Sequence, residues 1–169
     1  MDLTIISTFR CNSKCQMCYI WKNPTDPKEE VTLETLAKLP TGFDNLNISG
    51  GEPTLRKDLA ELVDLLHPKA RIIEISSNGL HPERLLPIIK KHPKIKVRFS
   101  LEGDAVTSDS IRGEKDGYAT KVAGLRMEQA QGLGQLDAEG APCRNCCQRS
   151  GFLAHLCRSS AATRCRDQG

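Results

Sequence analysis

At 169 residues the chain has the length of one domain, long enough to bury a real core, and its net charge is only +3. That balance leaves no electrostatic footprint for nucleic acid or a membrane surface. No run approaches the ~18 apolar residues of a membrane span, and Met1-Asp2-Leu3-Thr4 does not begin as a basic-then-apolar signal sequence. The expected compartment is the reducing cytoplasm, where cysteines bind metals or do chemistry more often than they cross-link.

The predicted elements alternate. Short apolar runs over residues 3–6, 46–48, 72–75 and 96–99 read as strands. Between them lie helical patterns. Thr32 caps a run with Leu33, Leu36 and Leu39 on one face, and Leu55, Leu59, Leu62, Val63 and Leu66 repeat that spacing up to His67-Pro68. Pro82 opens a third helix carrying Leu85, Leu86, Ile88 and Ile89, with Pro93 behind it. Pro87 inside this pattern predicts a kink or a shortened helix. A fourth helix is expected from near Tyr118. Such alternation means βαβ units and a parallel sheet, whose ligands lie at the carboxyl ends of the strands.

The polar signals obey that rule. Cys11, Cys15 and Cys18 form a Cys-x-x-x-Cys-x-x-Cys loop after the first strand. Ser49-Gly50-Gly51-Glu52-Pro53 follows the second, Ser76-Ser77-Asn78-Gly79 ends the third, and Ser100-Leu101-Glu102-Gly103 ends the fourth. Four separate motifs on one rim mark an active site. Three thiolates in so short a loop converge on one small volume. A closed structural zinc site wants four ligands, whereas a 4Fe–4S cluster on three thiolates keeps one iron open. The competing readings are zinc with a remote fourth ligand, such as a late cysteine, and three unrelated thiols. Gly50 and Gly51 let the backbone come close to a ligand without a Cβ in the way, and Glu52 offers a carboxylate to an ammonium.

The cysteine loop and the Gly-Gly-Glu-Pro segment together resemble the radical S-adenosylmethionine (SAM) superfamily over residues 1–126. The resemblance implies an α/β fold, an incomplete (βα)6 partial TIM-type barrel with parallel strands, to which the composition beyond it adds an irregular C-terminal tail. It implies that Cys11, Cys15 and Cys18 hold the 4Fe–4S cluster while SAM caps the open iron. Reductive cleavage of SAM then yields a 5′-deoxyadenosyl radical that abstracts hydrogen from a small-molecule or peptide substrate. An electron donor such as a flavodoxin or ferredoxin is implied as partner. In the pocket so implied, Gly50, Gly51 and Glu52 receive the amine end of SAM. Ser76 and Asn78 match a Ser/Thr-x-Asn-Gly pattern, and Ser100 and Glu102 resemble a Ser-x-Asp/Glu-Gly step near ribose and methionine. Arg112, in Ile111-Arg112-Gly113, resembles the arginine that pairs with the SAM carboxylate. The alternatives are a good turn at Asn78-Gly79 and solvated loop charges at Glu102 and Arg112. Met17 suits an apolar contact to adenine. Tyr19 and Trp21 serve either loop packing or SAM.

After Met127 the composition changes: the last lysine is Lys121 and the last isoleucine Ile111. Residues 127–169 are expected to form an irregular Cys/Arg-rich tail, disordered or the product of a frame-shifted gene end. Its five cysteines, Cys143, Cys146, Cys147, Cys157 and Cys165, include one pair at ligand-like spacing, but the flanks carry no recognisable fold and incidental cysteines are the favoured reading. Four strands can be counted, which leaves a catalytically incompetent remnant as a further alternative.

Overall fold

The computed structural model describes residues 1–130 and 135–139. Five strands, β1 (Asp2–Ile6), β2 (Phe43–Ser49), β3 (Ala70–Ser77), β4 (Lys96–Ser100) and β5 (Gln135–Glu139), form one sheet in the order β1-β2-β3-β4-β5. Every neighbouring pair is parallel, in registers such as Ile5 with Ile48, Ile48 with Ile75, Ile75 with Val97 and Val97 with Leu136. Parallel neighbours require crossovers, and helices supply them: α1 (Leu33–Ala37), α2 (Leu59–Leu66), α3 (Pro82–Lys91), α4 (Ala105–Arg112) and α5 (Gly117–Ala130).

Strand periodicity sorts the side chains to two faces. Leu46, Ile48, Ile73, Ile75, Val97 and Phe99 are buried, and against them pack Leu59, Leu62, Val63 and Leu66 of α2 with Leu85, Ile88 and Ile89 of α3. Burying each such side chain contributes about 1.5–3 kcal/mol, so this layer is the main stabiliser of the sheet. The opposite face is polar, with Asn47, Glu74, Ser76 and Arg98 in adjacent register. There Arg98 Nη2 lies 2.9 Å from Glu74 Oε2, and Ser76 Oγ donates to Asn47 Oδ1 at 3.1 Å.

Three expectations need correction. Pro87 does not shorten α3, which runs on to Lys91. Its ring is exposed, so only the hydrogen bond to the carbonyl of Glu83 is forgone, while Leu85, Ile88 and Ile89 keep the helix on the sheet. A short helix, α4, also went unrecognised; Asp104 caps it by accepting from the Thr107 amide, and Gly113 ends it at φ +62°. Regular structure, finally, does not stop at residue 126. Helix α5 continues to Ala130 and β5 adds a fifth strand, so β4 is not an edge. Gln-Leu-Asp-Ala-Glu carries just two apolar residues, and ladder pairing with β4 makes it a strand where pattern alone could not. The five late cysteines lie outside the described residues.

Candidate functional site

The site is built where β1, β2 and β3 end. Beyond Ile6 the chain hooks over the sheet, held by the Ser7 amide and hydroxyl on the Ser49 carbonyl at 2.8 and 2.9 Å. The Gly51 amide donates to Thr8 O at 2.7 Å and the Glu52 amide to Arg10 O at 2.8 Å. These contacts set the direction in which the cysteine loop leaves. They also give the two glycines a local reason. A Cβ at Gly50 would lie 2.4 Å from Thr8 O, and one at Gly51 would lie 2.1 Å from Arg10 O. The close approach they permit is to the loop's own backbone.

Glu52 likewise serves the protein. It is fully buried, and its Oε1 accepts from the Thr54 amide at 3.0 Å, Thr54 Oγ1 at 2.6 Å and Ser77 Oγ at 2.9 Å. Its Oε2 accepts from the Asn78 amide at 2.6 Å. One carboxylate thus ties the end of β2 to the end of β3. A buried carboxylate needs such donors, because burial without them would penalise its charge by several kcal/mol.

Asn78 extends the connection to the cysteines. Its side-chain amide donates to Asn12 Oδ1 at 2.7 Å and to Ser13 Oγ at 2.9 Å, and lies 3.9 Å from Cys11 Sγ. On the other side of the loop, Arg112 Nη1 lies 3.8 Å from Cys15 Sγ while Nη2 bonds Glu102 Oε1 at 2.7 Å. Among the described residues the Arg112 Nε is buried with no hydrogen-bond partner. Ser76 lies on the polar sheet face beside Asn47, and Ser100 ends β4 opposite Glu139. The structure therefore brings Glu52, Asn78, Arg112 and Glu102 around the cysteine loop, and sets Ser76 and Ser100 at neighbouring strand ends.

All three thiols are free, Cys15 buried and Cys11 and Cys18 half-buried. Burial pushes the Cys11 and Cys15 thiols above their ordinary range, the second opposed by the Arg112 guanidinium. Thiols so placed ionise best when a cation takes the thiolate. Among the described residues no group of three or more His, Cys, Asp or Glu stands close enough to hold one metal ion. Trp21 packs the loop, its indole donating to Cys15 O at 3.3 Å, while Met17 and Tyr19 are exposed.

Sequence reasoning missed two groups. Glu30, its side chain 6% exposed, accepts from Thr8 Oγ1 and from Arg10 at 2.7 and 3.1 Å, and lies 3.8 Å from Arg56. Arg56 in turn donates to Ser7 O at 2.8 Å and forks onto Asp58 at 2.9 and 2.7 Å. The second group joins Ser13, Glu114 and Lys121. Neither forms a local motif. Only the Asp104 cap and the Gly113 stop of α4 left a readable signal nearby.

A family model described as "Radical SAM superfamily" matches residues 5–133. Fe-coproporphyrin III synthase of Methanosarcina barkeri is 33% identical over 134 residues, 75% of this chain and 33% of that protein. Pre-heme d1 synthase of Dinoroseobacter shibae is 32% identical over 140 residues, with the same coverage of each. The chain thus spans about a third of the length of these relatives. Among solved structures, Streptococcus suis SuiB bound to S-adenosylmethionine superposes with a TM-score of 0.68 at 16% identity, over 93% of this chain and 37% of that one. The native anSMEcpe structure with bound AdoMet and Cp18Cys peptide gives 0.59 at 17% identity, over 81% and 41%. No helix among the described residues is long and apolar enough to cross a membrane.

Proposed function

The chain belongs to the radical SAM superfamily, and from that premise we propose that it is an enzyme holding a 4Fe–4S cluster on Cys11, Cys15 and Cys18. When bound, the reduced cluster supplies the electron that cleaves the sulfonium carbon–sulfur bond of SAM, and the 5′-deoxyadenosyl radical abstracts hydrogen from a substrate. The observation that carries this reading is the pairing of three free cysteines in one rim loop with a buried guanidinium facing one of them. The donor set fits: soft sulfur ligands for iron, and a fixed cation beside them for a carboxylate.

Each remaining rim residue has a proposed task. Arg112 receives the SAM carboxylate through Nε, which has no partner among the described residues, with Glu102 fixing the guanidinium. The segment Gly50-Gly51-Glu52 receives the amine, Glu52 through Oε2, which takes one protein donor where Oε1 takes three. Ser76, Asn78 and Ser100 line the neighbouring strand ends toward the ribose and methionine. The polar sheet face around Asn47, Glu74 and Arg98 suits a polar small-molecule or peptide substrate. Among the relatives and neighbours, a porphyrin synthase and two peptide-binding enzymes span that range. A flavodoxin or ferredoxin in a reducing cytoplasm would deliver the electron, and residues 127–169 would contribute no ligand.

The test is anaerobic reconstitution of the full chain, with iron, inorganic sulfide and zinc measured. The wild type should take up iron and sulfide with broad visible absorbance. Replacing Cys11, Cys15 and Cys18 together with Ala should abolish both, whereas replacing Cys143, Cys146 and Cys147 should not. Zinc without sulfide, or equal loss in both variants, would overturn the assignment and favour a zinc-binding interaction module. A loaded chain that cleaves SAM without substrate turnover would identify a remnant.

A further inference from the structure

A buried ion pair stands behind the cysteine loop. Lys121 of α5 is fully buried, and its Nζ binds Glu114 Oε2. The other oxygen, Glu114 Oε1, accepts from Ser13 Oγ at 2.5 Å. Ser13 is 1% exposed and lies between Cys11 and Cys15; its hydroxyl oxygen also accepts from Asn78 Nδ2. The chain of bonds therefore runs from Lys121 through Glu114 and Ser13 to Asn78. The backbone repeats the grip: the Lys14 amide donates to Arg112 O at 3.1 Å and the Gln16 amide to Ile111 O at 2.8 Å. Glycines make room, among them Gly117, where a Cβ would lie 2.3 Å from Glu114 Oε2. A Cβ at Gly79, where φ is +74°, would lie 2.9 Å from Lys121 Cγ, and one at Gly113 would lie 2.9 Å from Lys14 O.

Burying a lysine and a glutamate requires compensation, and the pair alone gives a poor return against two apolar residues of like volume. Its geometric product is a carboxylate fixed at both oxygens, one of them bonded to Ser13, the middle residue between Cys11 and Cys15. We propose that Lys121 and Glu114 are positioning residues: they hold Ser13, and through it the Cys11–Cys15 stretch, in the conformation that receives the cluster. The inference rests on the proposed cluster site, but the positioning itself belongs to the protein and is measurable without iron.

Hydrogen exchange on the full chain before reconstitution reads it directly. Ser13→Ala leaves the ion pair in place and cuts the link. The Lys14 and Gln16 amides should then exchange about tenfold faster, the factor that one ordinary hydrogen bond represents. Amides of β2 and β3 should be unchanged. The neutral double variant Glu114→Ala with Lys121→Met should loosen the same two amides, and Ser13→Ala added to it should loosen them no further, because both act through one link. Unchanged loop amides in Ser13→Ala would overturn the inference, and this variant decides alone if the double variant does not fold. A full extra increment in the triple variant would overturn it too. After reconstitution, iron uptake should fall and the electron paramagnetic resonance of the reduced cluster should change in Ser13→Ala. Responsive loop amides in a wild type that takes up no iron would sink the cluster reading and leave the positioning intact. A loaded wild type with indifferent loop amides would do the reverse.

Discussion

The cysteine loop is gripped from two sides, and the two grips differ in kind. On the β2–β3 side, Gly50, Gly51, Glu52 and Asn78 hold it through atoms that also finish the sheet: the amides of Gly51 and Glu52 on Thr8 and Arg10, and the Glu52 carboxylate between two strand ends. On the α4–α5 side, Ile111, Arg112, Glu114 and Lys121 reach the loop from about a hundred residues away and play no part in the β2–β3 ladder. Damage to the first grip should therefore lower global stability, whereas damage to the second should loosen the loop over an intact core.

The sharpest way to break the comparison is at the glycines. Gly51→Ala puts a Cβ 2.1 Å from a backbone oxygen that cannot move without displacing the loop. We expect a loss of about 3 kcal/mol in chemical denaturation, with cluster uptake lost as well. Gly113→Ala should do less. It places alanine at φ +62° with Lys14 O at 2.9 Å, which costs about 1–2 kcal/mol. Most of that should appear as faster exchange at the Lys14 and Gln16 amides rather than in the β2 and β3 strands. If Gly113→Ala lowers global stability as much as Gly51→Ala, the two grips are one.

The smallest effect is a dependence on pH at Glu30, which braces the rim from below. Burial raises its carboxyl, but the hydrogen bonds from Arg10 and Thr8 and the charges of Arg10 and Arg56 outweigh it and leave the group below its ordinary 4.5. A depressed folded value contributes stability that is complete above the unfolded value and disappears as pH falls through the folded one. The melting temperature of Glu30→Gln should therefore lie below wild type at pH 7. The gap should close as the pH drops below 4.5. A gap that is constant with pH would mean that Glu30 acts through shape alone.

The same contrast explains what could be read in advance. The first grip is written in local motifs. Cys11-x-x-x-Cys15-x-x-Cys18 and Gly50-Gly51-Glu52-Pro53 each sit at a strand end, and periodicity places the strands. Even there the structure adds local reasons that the motif does not spell out: Gly50 and Gly51 admit Thr8 and Arg10, and Glu52 satisfies four protein donors. The second grip is written in pairings of distant single residues. Nothing in Glu114 or Lys121 distinguishes them from surface charges until the fold buries them. Strand β5 was hidden for a related reason: its partner β4, and not its own composition, makes it a strand.

The strand order carries a consequence for how the molecule comes into being. Each strand up to β5 pairs with the one made just before it, and the widest such gap separates Asp2 from its partner Asn45. A chain of this kind can accrete in the order of its synthesis, every loop closure being short. The cysteines are made before α4, yet Lys14 and Gln16 find their carbonyl partners only when Ile111 and Arg112 arrive. On a ribosome β1 to β4 precede the clasp, and the loop proposed to receive iron is made well before the residues that lock it.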